Sequence, residues 1–498
     1  MTRLLVYSGD VGALQRELGH VYDVQAVSAE SLACDPWPGT TYAVVLGAHA
    51  NADATRRIVA YVERGGLCVA HGPVAHIDTR GTHAVGRGCI IVADDAASVL
   101  KSHLGPVPAP AELTLTPLYV DGDTGRTAEL VGGDSVARFD DSHGSYYIAL
   151  PAGVQLALER DPSVPLVALQ PAPEDARFSV AAYRAALDLA RREVRVPWTA
   201  SVWGSDVRLC DTLGYAAVTT STQTVMESTR LQNTLPDGTT FLASQQAAGR
   251  GRGNNRWISP LGCLQFSTLW RQPLAMAPRM LFVQYLAAIS MAVGLEHAFG
   301  EPARGRIRIK WPNDVYIEAS NGSVVRTIDG ERRRYAKIGG VLVNAATREH
   351  ELCMVIGCGI NCLNAEPMQS VATAVGTDTL PSMETCAACV HAALESALGA
   401  FSSHGGDFGV FSDAYRSLWL NACVFADSDD QVTLADTGEQ VRIVGVTRDF
   451  GLLRTVPLSY PITSRNVVAW GPSGSVESID LQPDGNTFDM LQNMVRSR

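Results

Sequence analysis

Short apolar runs that end at small or polar residues recur through the first part of the chain. Leu4–Tyr7, Ala43–Leu46 and Leu67–Ala70 are such runs, and Ile58–Arg64 has a helical pattern that stops at Gly65–Gly66. Glycine directly after a helical pattern is a common C-cap. Short buried strands that alternate with helices indicate a parallel sheet, so we predict an α/β domain here.

The pattern weakens over residues 106–173, where prolines and glycines recur. Ala176–Arg192 then has the alanine- and arginine-rich composition of a helix, and Val196–Trp198 is a candidate linker. We therefore place the end of the first domain at residue 195.

Beyond this linker the pattern predicts a mixed domain of the α+β class. Arg306–Lys310 alternates at period two, as a strand with one buried face does, and Met280–His297 is a long apolar helix. Further strands are predicted at Phe241–Ala243, Leu264–Leu269, Ile338–Asn344 and Met354–Gly357. After about Val424, short β runs separated by turns predict a small β-barrel.

The chain is thus expected to contain three domains, α/β followed by α+β. They are a flavodoxin-like parallel-sheet domain at 1–195, a mixed-sheet domain at 196–422 and a small β-barrel at 423–498.

Composition and charge exclude several classes. The formal net charge of -11 offers no dominant basic surface to phosphates, so we expect no nucleic-acid partner. An odd number of scattered cysteines, 11, suits a reducing compartment. Cys386 and Cys389 form a CxxC with no second pair to complete a zinc site, and we interpret them as buried helix residues. With no signal-peptide pattern and no run of ~18 apolar residues, we expect a cytoplasmic protein that spans no membrane.

A glycine–arginine loop, Gly249–Gly253, follows the predicted strand at Phe241–Ala243. Alternate glycines let a ligand approach the backbone, and successive N–H groups can form an anion nest. Arg250 and Arg252 add guanidinium groups suited to phosphate or carboxylate, and Trp257 adds a flat face for a ring. A basic surface loop is the alternative, but the position after a strand favours a ligand site.

A second motif, Lys310–Asp314, places a lysine at the end of an alternating strand, followed by a proline turn. Asp314 could hold Mg²⁺ through an oxygen, although an Asn-Asp turn that closes a hairpin has the same pattern. A third motif, Lys337–Val343, opens an apolar strand with a lysine and two glycines. A fourth, Ile356–Asn361, is a glycine-flanked turn that presents Asn361.

Together the segments GRGRGNNRWISPLGC, KWPND, KIGGVLVN and IGCGIN resemble motifs that occur in this order in biotin–protein ligases. The closing string LQPDGNTFDM resembles the eukaryotic branch, the holocarboxylase synthetases. The resemblance covers about Ser201 to the C-terminus. It implies a catalytic domain of the biotin/lipoate-ligase type followed by an SH3-like barrel.

The resemblance also implies roles for individual residues. Lys337, Lys310, Arg252 and Arg250 would be catalytic. Biotin would contact Ser228, Thr229, Gln246, Gly249, Arg250, Gly251, Arg252, Lys337 and Gly340. ATP and the adenylate would contact Arg250, Arg252, Trp257, Lys310, Asn313 and Asn361. Arg230 departs from the asparagine that follows Ser-Thr in the family, which puts that one contact in doubt.

By the same resemblance, biotin and ATP with Mg²⁺ would form biotinyl-5'-AMP, and a lysine of a carboxylase would then accept the biotin. The expected partners are biotin carrier domains of the acetyl-CoA carboxylase and pyruvate carboxylase type, and the expected state is a monomer or weak homodimer. The alternatives are a lipoate–protein ligase, whose arginine-rich triple-glycine motif is missing, and a biotin-responsive DNA-binding repressor, whose short helical head differs from this long α/β start.

The N-terminal region resembles, more weakly, the glutamine-amidotransferase-like domain that precedes some eukaryotic biotin ligases. Such a domain would carry its nucleophilic cysteine on a turn after Gly65–Gly66, whereas Cys68 lies inside the predicted strand. We therefore expect a non-catalytic domain.

Overall fold

A computed structural model provides the structure of the chain. It describes residues 3–7, 14, 23–26, 41–46, 52–63, 67–70, 81–85, 88–93, 99, 113–122, 131, 134–142, 144–161, 163–173, 177–198, 207–252, 257–326, 332–348, 350–365, 368–419, 431–434, 437–459, 478–481, 486–489 and 494–497. The predicted linker Val196–Trp198 lies within the described residues. Gly253 and residues 254–256 of the glycine–arginine segment lie outside them, as do parts of the closing string.

The first sheet is built from the short apolar runs near the N-terminus. Its elements are β1 (Arg3–Tyr7), β2 (Asp23–Ala26), β3 (Thr41–Leu46), α1 (Ala52–Glu63), β4 (Leu67–Ala70), β5 (Gly81–Val85) and β6 (Gly88–Val92). The strand order is β2-β1-β3-β4-β6-β5, with parallel pairing except for β5 against β6. Parallel pairing agrees with the prediction from the apolar runs. Cys68 lies within β4 and is fully buried, as the sequence indicated.

A second, mixed sheet carries the four sequence motifs. Its strand order is β14-β15-β16-β17-β13-β12-β11-β7-β10-β9-β8. The strands are β7 (Leu118–Asp121), β8 (Val136–Asp141), β9 (Gly144–Ala149), β10 (Leu166–Ala168), β11 (Leu213–Thr219), β12 (Thr240–Gln246), β13 (Cys263–Pro273), β14 (Ile307–Lys310), β15 (Asp314–Arg326), β16 (Arg332–Arg348) and β17 (Glu351–Asn361).

This sheet crosses the predicted domain boundary at 195/196. Strand β7 pairs antiparallel with β11, so the sheet continues from the motif-bearing strands into a segment assigned to the first domain. The candidate linker is also packed: Trp198 is buried, and its Nε1 donates to Ser396 Oγ at 3.2 Å. The second sheet therefore contains strands from both sides of the predicted boundary.

Helices cover both faces of the second sheet. They are α2 (Val154–Arg160), α3 (Val180–Glu193), α4 (Thr222–Met226), α5 (Thr229–Thr234), α6 (Met280–Phe299), α7 (Val371–Val375), α8 (Met383–Ser403) and α9 (Ser412–Leu418), with 3₁₀ turns at Pro151–Gly153, Leu274–Arg279 and Phe408–Phe411. The helices α6 and α8 pack together in the main core, and α3 packs against α8. Cys386 and Cys389 are buried on α8, which confirms their interpretation as helix residues.

The helical stretch Leu274–Phe299 is long and apolar enough to cross a membrane by length and composition. The sequence had predicted no run of that kind. In the folded chain, 61% of its most apolar window is buried inside the protein, so it is a core helix.

A third sheet follows near the C-terminus. It consists of β18 (Gln431–Leu434), β19 (Gln440–Val446), β20 (Leu453–Pro457), β21 (Ile479–Leu481), β22 (Asn486–Asp489) and β23 (Met494–Ser497), in the order β21-β20-β19-β18-β23-β22. The turn between β19 and β20 contacts α6, because Tyr285 Oη donates to the carbonyl of Gly451 at 2.6 Å.

Candidate active site

Two glycines lie side by side in the middle of the second sheet. Gly340 on β16 pairs with Gly359 on β17, and the row continues to Asp314 on one side and to Gln265 on the other. Residues that pair directly across neighbouring strands present their side chains on the same face. A Cβ on Gly339 would meet Met291 of α6, so Gly340 and its row occupy the opposite face. Because neither Gly340 nor Gly359 has a side chain, the sheet surface is open at this point; we call these two residues the glycine floor.

A lysine–aspartate ion pair lies at one end of this row. Lys337 Nζ is 2.7 Å from Asp314 Oδ1, with both side chains partly buried. A Cβ on Gly340 would lie 3.6 Å from Asp314 Oδ1 and 3.9 Å from Lys337 Cε, which are ordinary contact distances. The predicted catalytic lysine therefore borders the glycine floor.

The KWPND segment closes the hairpin between β14 and β15, as its turn pattern indicated. Lys310 pairs with Asp314 in the strand register and is only 4% exposed. Trp311 is a buried core residue, and its Nε1 donates to Tyr285 Oη at 2.8 Å. Asn313 is held by the next strand, with its Nδ2 donating to the carbonyl of Val341 at 2.8 Å. The turn thus brings both motif lysines to one end of the floor.

The glycine–arginine loop is held by one close contact within the segment and by hydrogen bonds from its two arginines. A Cβ on Gly249 would lie 2.4 Å from the carbonyl oxygen of Trp257, which explains the requirement for glycine at this close approach. Arg250 NH1 donates to Glu227 Oε2 at 2.6 Å. Arg252 NH1 donates to Asn313 Oδ1 at 3.3 Å, so the loop reaches the lysine end of the floor. Gly251 lies between the two anchored arginines.

Glu227 was not predicted as a site residue, and it is the partner that holds Arg250. Its carboxylate is 4% exposed and also accepts hydrogen bonds from Gln223 Nε2 at 2.8 Å and from Asn344 Nδ2. A buried carboxylate needs such partners to offset its lost hydration. Its position directly before Ser-Thr, in an otherwise uncharged helical segment, was the signal available in the sequence.

The indole of Trp257 lies directly over the glycine floor. A Cβ on Gly359 would be 2.6 Å from both Nε1 and Cε2 of this ring. The Trp257 Nε1 is buried and finds no hydrogen-bond partner among the described residues. A flat aromatic face over two glycines is a suitable surface on which to stack another ring.

Gln265 was not predicted as a site residue, although it is a polar residue in an otherwise apolar strand. It is 1% exposed, and its Nε2 donates to the carbonyl of Ala243 at 2.7 Å. This bond fixes the amide, and within the described part of the chain Oε1 has no donor facing it. Because Gln265 pairs with Gly359, this acceptor belongs to the face that carries the glycine floor.

Gln246 is engaged by neighbouring backbone and side chains. Its Oε1 accepts from the backbone N–H of Thr222 at 2.8 Å, and its Nε2 donates to Ser259 Oγ at 3.0 Å. These bonds place its amide between the start of α4 and the glycine–arginine loop. Contact of Gln246 with biotin stays a prediction.

The segment at the start of α5 contacts strands from before the predicted boundary. Ser228 Oγ donates to Tyr146 Oη on β9, and both residues are buried. Thr229 Oγ1 accepts from Arg348 NH2 at 3.0 Å. The guanidinium carbon of Arg230 lies 4.6 Å from the centroid of the Phe139 ring on β8. Burial raises the pKa of the Tyr146 phenol, so the ring stays neutral.

Asn361 lies at the end of β17, where its side-chain amide is hydrogen-bonded to neighbouring residues. Its Oδ1 faces Cys263 Sγ at 3.2 Å, and its Nδ2 donates to the carbonyl of Gln369 at 3.0 Å. Both ends of the amide therefore have partners within the protein. The predicted contact with adenine stays a prediction.

Asp314, the predicted magnesium ligand, forms an ion pair with a lysine in this structure, and its binding of Mg²⁺ stays a prediction. The described residues contain no group of three or more His, Cys, Asp or Glu side chains that could hold a metal ion. We interpret Asp314 as the counter-ion of Lys337 and assign no step to a metal.

A protein-family model matches the part of the chain that carries this site. Residues 215–361, which include the floor, both lysines and the glycine–arginine loop, match the model of the biotin/lipoate A/B protein ligase family.

The chain is also similar to eukaryotic biotin–protein ligases. The biotin–protein ligase of Schizosaccharomyces pombe is 33% identical over 294 residues, covering 56% of this chain and 43% of that protein. The human biotin–protein ligase is 28% identical over 292 residues, covering 56% of this chain and 35% of that protein. The aligned region thus spans less than half the length of each of these relatives.

A solved structure of the biotin protein ligase from Aquifex aeolicus in complex with biotin and ATP also matches. The identity is 21% and the TM-score 0.37, over 49% of this chain and 92% of that chain.

Proposed function

We propose that the chain is an ATP-dependent biotin–protein ligase that forms biotinyl-5'-AMP and transfers biotin to a lysine of biotin-dependent carboxylases. The observation that carries this proposal is the position of Lys337 beside a floor of two glycines, under a loop that presents two arginines. The similarity to named biotin–protein ligases supports it.

The first chemical step joins two anions. A biotin carboxylate oxygen attacks the α-phosphorus of ATP, a new C–O–P linkage forms, and the bond to the β-phosphate oxygen breaks, so pyrophosphate leaves. Lys337 and Lys310 offset the repulsion between carboxylate and phosphate, because positive charge placed where negative charge develops stabilises the transition state. Arg252 approaches the same end of the floor from the loop.

In the second step, a neutral lysine amine of the carrier attacks the acyl carbon, an amide forms and AMP leaves with the electron pair of the broken C–O bond. The mixed anhydride is labile in water, so it must be covered between the steps. The attachment of Arg250 to Glu227 and of Arg252 to Asn313 supports a loop that covers the floor in this way.

The ligand contacts are part of the proposal. Biotin contacts Ser228, Thr229, Gln246, Gly249, Arg250, Gly251, Arg252, Lys337 and Gly340, and the nucleotide contacts Arg250, Arg252, Trp257, Lys310, Asn313 and Asn361. Gln265 Oε1, which has no hydrogen-bond partner among the described residues, adds an acceptor on the same face.

Further proposals concern the first sheet, the third sheet and the partners of the chain. We propose a flavodoxin-like, amidotransferase-like and non-catalytic unit for the first sheet and an SH3-like barrel for the third. The position of Cys68 inside β4 rather than on a turn supports the first of these. Biotin carrier domains of the acetyl-CoA carboxylase and pyruvate carboxylase type are the proposed partners, in the cytoplasm.

Transfer of label to a carrier domain tests the function. The full chain is incubated with labelled biotin, ATP, magnesium chloride and a carrier domain with an Ala-Met-Lys-Met sequence. We expect label on the carrier lysine only when ATP is present, and none on a carrier whose lysine is replaced by arginine. Labelling by lipoate in preference to biotin would instead identify a lipoate ligase, and a specific gel shift with genomic fragments would support the repressor.

A further inference from the structure

We propose that the hairpin β8–β9 is a positioning element of the biotin pocket, and that Tyr146 sets the hydroxyl of Ser228 for the biotin ring. This inference rests on the proposed function. It gives a role in substrate binding to a segment that the sequence pattern assigned to a separate, non-catalytic domain.

The first observation is the unusual use of Ser228. It occupies the N-cap position of α5, where a serine side chain ordinarily accepts a hydrogen bond from a backbone N–H of the first turn. Here the side chain caps nothing and donates to Tyr146 Oη, a residue 82 positions earlier in the chain. A local stabilising bond has been exchanged for a bond to a distant strand.

The second observation is that the same hairpin holds a neighbouring residue of the motif. The Arg230 guanidinium lies over the ring of Phe139, and Phe139 stacks on Tyr146 with ring centroids 5.7 Å apart. A guanidinium over an aromatic face is attracted by the ring's negative face. Arg230 is the position at which this chain departs from the family's asparagine, and the hairpin provides the partner that an arginine needs.

The hairpin is fixed firmly enough to serve this purpose. Tyr146 and Ile148 of β9 share a buried apolar cluster with Val225 and Met226 of α4 and with Leu231 of α5. A rigid supporting layer is what holds a ligand-binding side chain within a narrow range of positions.

The direction of the bond has a chemical consequence. Since the Ser228 proton is donated to Tyr146, the serine oxygen offers a ligand only its lone pairs. Ser228 is thereby set as an acceptor, which suits a ligand N–H such as those of the biotin ureido ring. Loss of the Tyr146 oxygen would free the serine hydroxyl to rotate and remove this preference.

Tyr146→Phe in the full chain tests the inference, with Tyr147→Phe as the matched control. Tyr147 is the next residue on β9 and is equally buried, but it belongs to a different apolar cluster, with its ring near Arg138. We expect Tyr146→Phe to raise the KM for biotin about five- to tenfold, the usual worth of one hydrogen bond, with KM for ATP and kcat unchanged. Tyr147→Phe should match the wild type in all three.

Two further readouts separate positioning from general support of the fold. In a double-mutant cycle, Tyr146→Phe should add no further increase in KM to Ser228→Ala, because both changes remove the same interaction. The wild type should discriminate against N-methylated biotin more strongly than Tyr146→Phe does. Melting temperatures of all variants are measured in parallel.

The inference is overturned if Tyr146→Phe has the wild-type KM for biotin, if both phenylalanine variants change KM equally, or if the effects of Tyr146→Phe and Ser228→Ala simply add. These outcomes are distinct from failure of the proposed function. If the proposed function were wrong, the wild-type chain itself would form no biotinyl-AMP.

Discussion

Lys337 Nζ lies 2.7 Å from Asp314 Oδ1, across neighbouring strands and beside the glycine floor. The pair gives a role to the acidic residue two positions after Pro312. It holds the lysine at the edge of the floor, where the proposed reaction needs positive charge, and so links two motifs that are separate in the sequence.

Replacing Lys337 by alanine should abolish formation of the adenylate while the fold survives. Removal of one such charged donor from a reaction centre commonly costs about 10²–10³ in rate. ATP–pyrophosphate exchange dependent on biotin measures the step directly. Arg334→Ala, an exposed residue on the same strand and outside the row, is the control. Normal exchange in Lys337→Ala would refute the assignment.

Asp314→Asn tests whether Asp314 serves Lys337 or a metal ion. Asparagine keeps the shape and an oxygen but loses the charge that holds the lysine. We expect exchange to fall about tenfold, roughly the worth of a charge-assisted hydrogen bond. Its dependence on magnesium concentration should equal that of the wild type. Recovery of the variant at high magnesium would instead show that Asp314 binds the metal.

Gly359→Ala should weaken nucleotide binding. The added Cβ would lie 2.6 Å from the Trp257 ring, so the indole must move away from the floor. Overpacking of this kind commonly costs about 1–3 kcal/mol, which corresponds to roughly five- to a hundredfold in KM for ATP. Initial-rate kinetics at saturating biotin measure it, and the melting temperature reports on the fold. A folded variant with unchanged KM for ATP would contradict the role given to Trp257.

Truncation should separate the first sheet from the second. A chain that begins at Val196 loses β7–β10, which exposes the edge of β11 and the apolar side chains of Ala216, Met226 and Phe241. Exposed edges and apolar patches promote aggregation. We expect this chain to be insoluble or inactive, whereas one that begins at Pro106 keeps the second sheet complete and should retain adenylate formation. A soluble, fully active chain from Val196 would show that these strands are dispensable.

The buried histidine on α8 should make stability fall in mild acid. Burial lowers the pKa of His391 to about 3, and its Nδ1 pairs with Tyr183 Oη at 2.7 Å. Below the unfolded pKa of ~6.5 only the unfolded chain takes up the proton, so stability is lost as pH falls from there towards the folded pKa. From about pH 7.5 to about pH 5.5 this amounts to about 1.4 kcal/mol.

Urea titrations at the two pH values measure this effect. His391→Gln, which keeps an acceptor for Tyr183, should lose the histidine's share of the pH dependence. His404→Gln, at the exposed end of the same helix, should keep it. Equal pH dependence in all three proteins would contradict the buried, uncharged state of His391.

Local patterns predicted much of the second sheet and its helices. The predicted strand at Arg306–Lys310 corresponds to β14. The helix predicted at Met280–His297 is observed and ends two residues later, at Phe299. The helix predicted from Ala176 begins at Val180, because Ser179 is the N-cap and its side chain accepts from the N–H of Ala182. Periodicity and capping are local signals, so a single sequence carries them.

Long-range pairing was beyond those signals. The stretch 106–173 has a broken pattern, yet it contains four strands that join the second sheet, because the partner of β7 is β11, far along the chain. The bond between Ser228 and Tyr146 and the burial of Glu227 depend on this assembly. The ion pair between Asp314 and Lys337 likewise depends on the pairing of β15 with β16, which no local pattern shows.

Direct detection of the acyl-adenylate tests the central claim. The purified full chain is mixed with biotin, ATP and magnesium chloride in the absence of any acceptor protein, and the products are separated and identified by mass spectrometry. The account predicts biotinyl-5'-AMP and pyrophosphate in equal amounts, bound to the wild type and missing from Lys337→Ala. A folded wild-type chain that binds both substrates but yields no biotinyl-5'-AMP would contradict it.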